Sequence, residues 1–402
     1  SIYPKSTILS RLKEEIPMDK PTQHMETKLI HAGEPEQLIC GAVTMPVFQS
    51  ATFEYSGQSS YHDIKYIRLN NTPNHLLLSE KLAAIENAQS AIVAASGMAA
   101  ISTTLLALLN AGDHFLAQSC LYGGTHDLIT KDLPSLGITV DFIDANAPET
   151  WESKLQPRTK IVFMEAVTNP LLQVGDHRAM VAFCKAHGLL SLIDNTFPTP
   201  VNFRPIDLGY DISIHSGTKY LNGHSDIVAG AVMGPSHLIR KVTHKLNHLG
   251  GTLDPHACFL LDRGLKTLAL RMKHHNQSAM EVAQFLENHE RVEKVNYPGL
   301  ENHPEHHRAK ELFDGFGGMM SFELTGGIEA ADAFIHRLTI PISAPSLGGV
   351  ESLITRPVTT SHAGVSPEDL KKLGISDRLI RLSVGIEATA DLIEDFEQAL
   401  RM

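Results

Sequence analysis

The stretch Tyr210–Asp226, YDISIHSGTKYLNGHSD, decides how this chain is read. Asp211–His215 alternates in character and carries β-branched residues, which marks a short strand. Ser216-Gly217-Thr218 breaks that pattern, and Lys219 stands immediately after it. Hydroxyls and backbone N–H groups at a strand end can grip a phosphate, while a lysine amine there can form a Schiff base with an aldehyde. Both requirements meet in pyridoxal phosphate (PLP). A surface lysine after an ordinary turn would leave the same trace, so the neighbouring text has to decide.

Outward from this stretch, strand and helix alternate. Strands are expected at His114–Gln118, Ile138–Ile143, Lys160–Glu165, Leu189–Asp194, Asp211–His215 and Asp226–Met233, and helices at 79–88, 97–110 and Asp176–His187. Alternation of this kind implies right-handed crossovers, hence an α/β fold with a mostly parallel sheet and helices on both faces. Ligands of such sheets bind beyond the carboxyl ends of the strands, where Asp194 and Lys219 both fall. A helical run from Asp254 to His289 leads into a smaller C-terminal α/β domain, with strands in GMMSFEL and LIRLSV. The last helix carries Leu392, Phe396, Ala399 and Leu400 on one face. Residues 1–30 read as a polar arm with one short helix, and His31–Tyr66 has little periodicity. Such a segment is usually functional or wrapped on a partner.

Composition narrows the function. The chain has 402 residues, 43% hydrophobic and 20% charged, as an ordinary globular enzyme does. A net charge of −11 argues against nucleic acid or an anionic membrane as partner. Cys40, Cys120, Cys184 and Cys258 form no C-x-x-C pair and read as free, buried thiols of a reducing compartment. No apolar run reaches membrane-spanning length and the start lacks a signal-peptide core, so a cytoplasmic protein is expected. Neither G-x-G-x-x-G nor G-x-x-x-x-G-K-[ST] occurs, which disfavours nicotinamide and P-loop nucleotide chemistry. His303, His306 and His307 match no zinc spacing and are expected to be a solvated helix start, with no metal site.

Other residues carry two readings each. Ser96-Gly97-Met98 can present free amides and a helix dipole to an anion, or simply cap a helix. Asp194 can pair with a protonated pyridine nitrogen or cap a turn. Tyr122 can stack on a ring and exchange a proton, or be structural. Arg381, flanked by apolar residues, is costly to bury unless a carboxylate meets it, from a substrate or from the chain.

The segments SGMAA, YGGT, TNPLL, DNTF, HSGTKYLNGHSD, YPGL, SLGGVESL and RLSVGIE occur in this order. With them, from about His31 to the C-terminus, the chain resembles the Cys/Met-metabolism PLP enzymes, which include cystathionine γ-synthases, cystathionine lyases and methionine γ-lyases. The resemblance implies the fold-type-I PLP-dependent transferase fold. It implies Lys219 as the Schiff-base lysine, and Ser216 and Thr218 as phosphate ligands beside the amides of Gly97 and Met98. Asp194 would then pair with the ring nitrogen, Asn169 approach the ring hydroxyl, and Tyr122 stack on the ring and serve as an acid. Tyr66 and Arg68 would reach the site of a neighbouring subunit, and Arg381 with Ser346 would hold the substrate carboxylate. Similar proteins are homotetramers of two dimers, which suggests an arm at 1–65, a PLP-binding domain at 66–257 and a C-terminal domain at 258–402.

The implied reaction is γ-elimination from a sulfur-containing or homoserine-derived amino acid to a 2-oxo acid and ammonia. A γ-replacement, or cleavage of a homoserine ether such as canavanine, shares the early steps. Pro345 stands where cystathionine γ-lyases and bacterial γ-synthases tend to carry a glutamate before S-L-G-G, and Gly124 where methionine γ-lyases tend to carry a cysteine.

Overall fold

The structure, a computed structural model, describes residues 23–360 and 373–401, together with 363, 368 and 370. The first 22 residues of the expected polar arm lie outside the described residues. A seven-stranded sheet is built from β1 (Ser90–Ala94), β2 (His114–Gln118), β3 (Thr139–Ile143), β4 (Thr159–Glu165), β5 (Leu190–Asp194), β6 (Ile212–Ser216) and β7 (Gly230–Gly234). Its order is β1-β7-β6-β5-β4-β2-β3. From β3 to β6 all neighbours are parallel, whereas β7 runs antiparallel to both β6 and β1.

Side-chain alternation explains why this sheet is covered twice. Phe115, Phe163, Leu192 and Ile214 enter one apolar core, while Leu116, Val162, Met164 and Ile193 enter another. Successive residues of a strand point to opposite faces, so strands that are apolar throughout must be roofed on both. Helices α2 (Pro73–Glu86) and α4 (His177–His187), after the short α1 (Met25–His31), contribute to one core; α3 (Gly97–Leu108) and α5 (Ser236–Leu249) close the other. Helices α6 (Pro255–Leu265) and α7 (Leu268–Glu287) lead to a five-stranded sheet of β8 (Val292–Asn296), β9 (Met319–Leu324), β10 (Ile342–Ser343), β11 (Leu353–Thr355) and β12 (Ile380–Ser383). That sheet packs with α7, α8 (Gly327–Arg337) and α9 (Thr389–Leu400) around Phe322, Phe334 and Phe396.

Several expectations need correction. The strand at Ser90–Ala94 is not foreseen, because a five-residue apolar run before a glycine turn carries no period of its own. Strand β6 ends at Ser216, so that hydroxyl closes the strand instead of breaking it. Residues 226–229 are loop, and β7 begins at Gly230. The run from Asp254 to His289 is interrupted at Lys266 and Thr267 into two helices. The expected helix at 79–88 begins instead at Pro73, a residue suited to the first turn. Cys40 is exposed and Cys120 half-buried, so only Cys184 and Cys258 are buried thiols. His303 and His306 are buried, not solvated: His306 Nδ1 donates to the Pro298 carbonyl at 3.0 Å, and His303 Nδ1 lies 3.4 Å from Glu305 Oε2.

Strand β7 crosses close beneath the start of α3. A Cβ on Gly230 would stand 2.1 Å from the Ser96 carbonyl oxygen. Gly230→Ala is therefore expected to lower stability by about 1–3 kcal/mol through forced separation of β7 and α3. Urea unfolding of the ligand-free protein measures this, and an unchanged midpoint would show that the two elements separate freely.

Candidate active site

The carboxyl ends of β4, β5 and β6 lie side by side. Glu165 is in register with Asp194, and Asp194 with Ile214, two residues before Ser216. Asp194 Oδ1 accepts the Thr196 amide at 3.0 Å and the Thr196 hydroxyl; that hydroxyl accepts the Ser216 amide at 2.9 Å. A hydrogen-bonded chain thus runs from the backbone of β6 to the carboxylate of β5. Oδ2 makes no hydrogen bond among the described residues. Burial pushes the Asp194 carboxyl above the usual carboxylate range, and the bonds from Thr196 and the field of His215 oppose it.

Glu165 is buried beside it, and its Oε1 accepts the Tyr122 amide at 2.6 Å. Burial, and then Asp194, raise the Glu165 carboxyl well above its ordinary value. A proton shared out between these neighbours therefore resides on Glu165 first. Tyr122 itself is 42% exposed. A Cβ on Gly124 would lie 2.7 Å from its ring and 3.1 Å from Met98 Sδ, so the ring lies down only because residue 124 is glycine.

Above this edge stands Lys219, whose Nζ donates to Ser346 Oγ at 2.7 Å. Burial, and secondarily the Arg381 guanidinium, bring its amine down to about 8. Arg381 on β12 is buried; it donates to the Ser346 carbonyl at 2.9 Å and to Asn169 Oδ1 at 3.4 Å, while its Nε has no partner. No carboxylate lies within ion-pair distance of it among the described residues. Arg271, equally buried, shows the contrast: its guanidinium bonds the carbonyls of Tyr220, Leu221 and Gly264 and holds the loop after Lys219. One arginine is saturated by the fold and the other is left open.

The N-terminus of α3 faces the same edge. The Ser96 hydroxyl accepts the Ala99 amide at 2.9 Å, and the Gly97 and Met98 amides stand in the first turn of α3, where no earlier carbonyl can accept them. A Cβ on Gly97 would come 2.9 Å from Ser216 Cβ, so β6 and the N-terminus of α3 meet through a glycine. Thr218 is less free than the sequence suggests, because its hydroxyl is engaged with the Ala229 amide at 3.0 Å and carbonyl at 3.2 Å.

Lys219, Asn169, Arg381 and Ser346 are linked by hydrogen bonds, with Asp194 and Ser216 joined through Thr196. Tyr66 and Arg68 stand apart. The Arg68 guanidinium lies over the Tyr66 ring at 5.6 Å and donates to the Asn247 carbonyl at 2.7 Å and to the Tyr61 hydroxyl. Sequence reasoning passed over Thr196, which read only as a turn, and the role of Glu165, which read only as a strand end. It also passed over His215 and Glu86, whose meeting no local pattern signals.

The amine of Lys219 should be protonated and inert below about 8 and reactive above it. Acylation of the ligand-free protein across pH, followed by peptide mass spectrometry, should give a midpoint near about 8. Arg381→Gln should move that midpoint upward, because a nearby positive charge disfavours the lysine's own. A midpoint like that of free lysine in the parent would contradict this electrostatic account.

Comparison with known proteins follows the same lines. A sequence model described as Cys/Met metabolism PLP-dependent enzyme matches residues 26–401. Cystathionine beta-lyase of Lactococcus lactis subsp. cremoris (strain MG1363) is 42% identical over 377 residues, spanning 94% of this chain and 98% of that protein. Cystathionine gamma-lyase of Bacillus subtilis (strain 168) is 43% identical over 376 residues, spanning 93% and 98%. The crystal structure of cystathionine gamma-lyase from Lactobacillus plantarum complexed with L-serine is similar at a TM-score of 0.90 and 38% identity, covering 94% of this chain and 98% of that one.

Proposed function

The chain belongs to the Cys/Met metabolism family of PLP-dependent enzymes, and from that premise we propose that it is a lyase cleaving the bond from Cγ to sulfur or oxygen in a cystathionine-like or homoserine-derived amino acid. The products are a 2-oxo acid, ammonia and the released γ-substituent. PLP, when bound, supplies an aldehyde for the substrate amine and a ring that absorbs the electron pair left when a Cα–H bond breaks.

The residues fit that group. Oδ2 of Asp194 is open for a protonated ring nitrogen, and Thr196 fixes the carboxylate that bears it. Gly97 permits the contact between Ser216 and α3 from which hydroxyl and amides would hold a phosphate. Asn169, hydrogen-bonded to Arg381, would approach the ring hydroxyl, and Tyr122 would stack on the ring.

One observation carries the substrate reading. Arg381 is a buried cation, its Nε unpartnered and without a carboxylate of the chain to meet it, 2.9 Å from the carbonyl of the residue whose hydroxyl holds Lys219. A substrate carboxylate completes its hydrogen bonds and its charge. Bound there, the amino acid has its Cα beside Nζ of Lys219. With its affinity for protons lowered to about 8, that amine takes the Cα proton and later moves one from Cβ. The Tyr122 hydroxyl donates a proton to the departing γ-substituent. Pro345, exposed beside Ser346, offers no carboxylate for a distal amine. This favours recognition of the leaving group by shape over recognition by charge.

Tyr66 and Arg68 act, in this proposal, on the phosphate and substrate of the neighbouring subunit in a homotetramer assembled as a dimer of dimers. Residues 1–65 form the arm, 66–257 the PLP-binding domain and 258–402 the C-terminal domain. With four free cysteines, a reducing compartment such as the cytoplasm suits it. No helix among the described residues is long and apolar enough to cross a membrane.

L-Cystathionine, L-methionine and an O-acyl-homoserine, each with and without cysteine, are assayed for 2-oxo acid, ammonia and thioether. Release of 2-oxo acid and ammonia without cysteine is expected; a thioether formed only with cysteine would make the enzyme a γ-synthase instead. Lys219→Ala should lose covalently held PLP and lower turnover by about 10³-fold or more. Arg381→Gln should lower kcat/KM by about 10–100-fold. Mixing Arg68→Ala with Lys219→Ala subunits should restore part of the activity, and its failure to do so would contradict a shared site.

A further inference from the structure

A second pair of ionisable groups lies beneath the end of β6. Glu86, the last residue of α2, and His215, the residue before Ser216, are both fully buried, with Glu86 Oε2 3.5 Å from His215 Nε2. Neither Glu86 oxygen has a hydrogen-bond partner, nor has His215 Nδ1; the Ser213 hydroxyl stands 3.2 Å from His215 Nε2. A lone carboxylate or a lone imidazolium at such depth would be strongly disfavoured. Each is tolerable only as the counter-charge of the other. Apolar packing does not account for the pair, since the core on that face of the sheet draws on α2 and β7 but on no residue of β6. The route out of the pair is short: His215 leads directly into Ser216, whose amide begins the chain through Thr196 to Asp194 Oδ1. The field of His215 also reaches Asp194 and opposes its burial.

We propose that Glu86 holds a proton on His215, and that the resulting buried imidazolium keeps Asp194 ionised and in place for the PLP ring. Both are positioning residues, acting through Asp194, and the inference rests on the reading of Asp194 as the ring-nitrogen partner. The other groups in reach do not substitute for them. Glu165 faces Asp194 from β4 and is a carboxyl, while β7 and α3 carry no titratable side chain. The helix Pro205–Leu208 beside β6 offers Asp207, which Arg204 engages at 2.8 Å.

The test is the dissociation constant of PLP from the full-length protein as a function of pH, for the parent, Glu86→Gln, His215→Gln, Asp194→Asn, and the first two combined with the third. Removing a positive neighbour raises the Asp194 pKa, so less of it is ionised at a given pH. Glu86→Gln and His215→Gln should each weaken PLP binding, with a ceiling of about tenfold at low pH, the fold-change of one pKa unit. The deficit should grow as pH falls and shrink as pH rises. In the Asp194→Asn background neither substitution should matter. Unchanged binding in both, a deficit equal at every pH, or one that persists without Asp194 would overturn the proposal. If Asp194→Asn alone leaves PLP retention intact, the reading of Asp194 has failed instead. Circular dichroism reports folding, and should Glu86→Gln not fold, the pH profile of His215→Gln decides.

Discussion

A carboxylate at the end of a strand, sunk far enough that burial works against its charge, is the constraint to which the rest of this molecule answers. Asp194 is held by Thr196 through two bonds, and Thr196 is held in turn by the main chain of β6. This works only because β5 and β6 are parallel with Asp194 opposite Ile214, so that Ser216, two residues on, meets Thr196, two residues beyond Asp194. A shift of one residue would send Asp194 to the other face of the sheet and leave Thr196 without its partner. The tight approaches of β7 and β6 to the start of α3, allowed by Gly230 and Gly97, then set a helix N-terminus next to the same strand ends.

The second sheet supplies what the first lacks. A parallel sheet roofed on both faces is a poor source of an open cation, because an unmet charge inside it is costly. Strand β12 brings Arg381 against Asn169, and the loop before β11 brings Ser346 to Lys219. The two buried arginines divide the work: Arg271 spends its donors on carbonyls of the loop after Lys219, and Arg381 keeps Nε in reserve. The lowered amine of Lys219 follows from the same arrangement, since burial and Arg381 both disfavour its charge. A negative charge brought to the Arg381 guanidinium would offset the second influence and raise the basicity of Lys219.

Much of this was legible in the text of the chain. Strands β2 to β6 announce themselves by apolar runs with helices between them, because burial on both faces is a property of composition. Lys219, Asp194, Asn169, Arg381 and Ser346, singled out from motifs, do stand together. What escaped was of another kind. The break of the long helical run at Lys266 and Thr267 has only Gly264, still inside the first helix, to mark it, and the depth of His303 and His306 depends on what covers them. The Thr218 hydroxyl, expected to face a phosphate, is engaged with Ala229 eleven residues on, a partner that no local pattern signals.

The sequence by itself determined the α/β class, the family and the residue types available for PLP chemistry, because hydrophobic period and ordered motifs are local and survive in one dimension. Tertiary structure alone decided which of those residues are charged, open or engaged. The open Nε of Arg381, the proton-rich Glu165 beside Asp194, and the Glu86–His215 pair are all matters of depth and of neighbours distant in the chain. Desolvation and Coulomb interactions depend on distance in space, and that quantity exists only once the chain has folded.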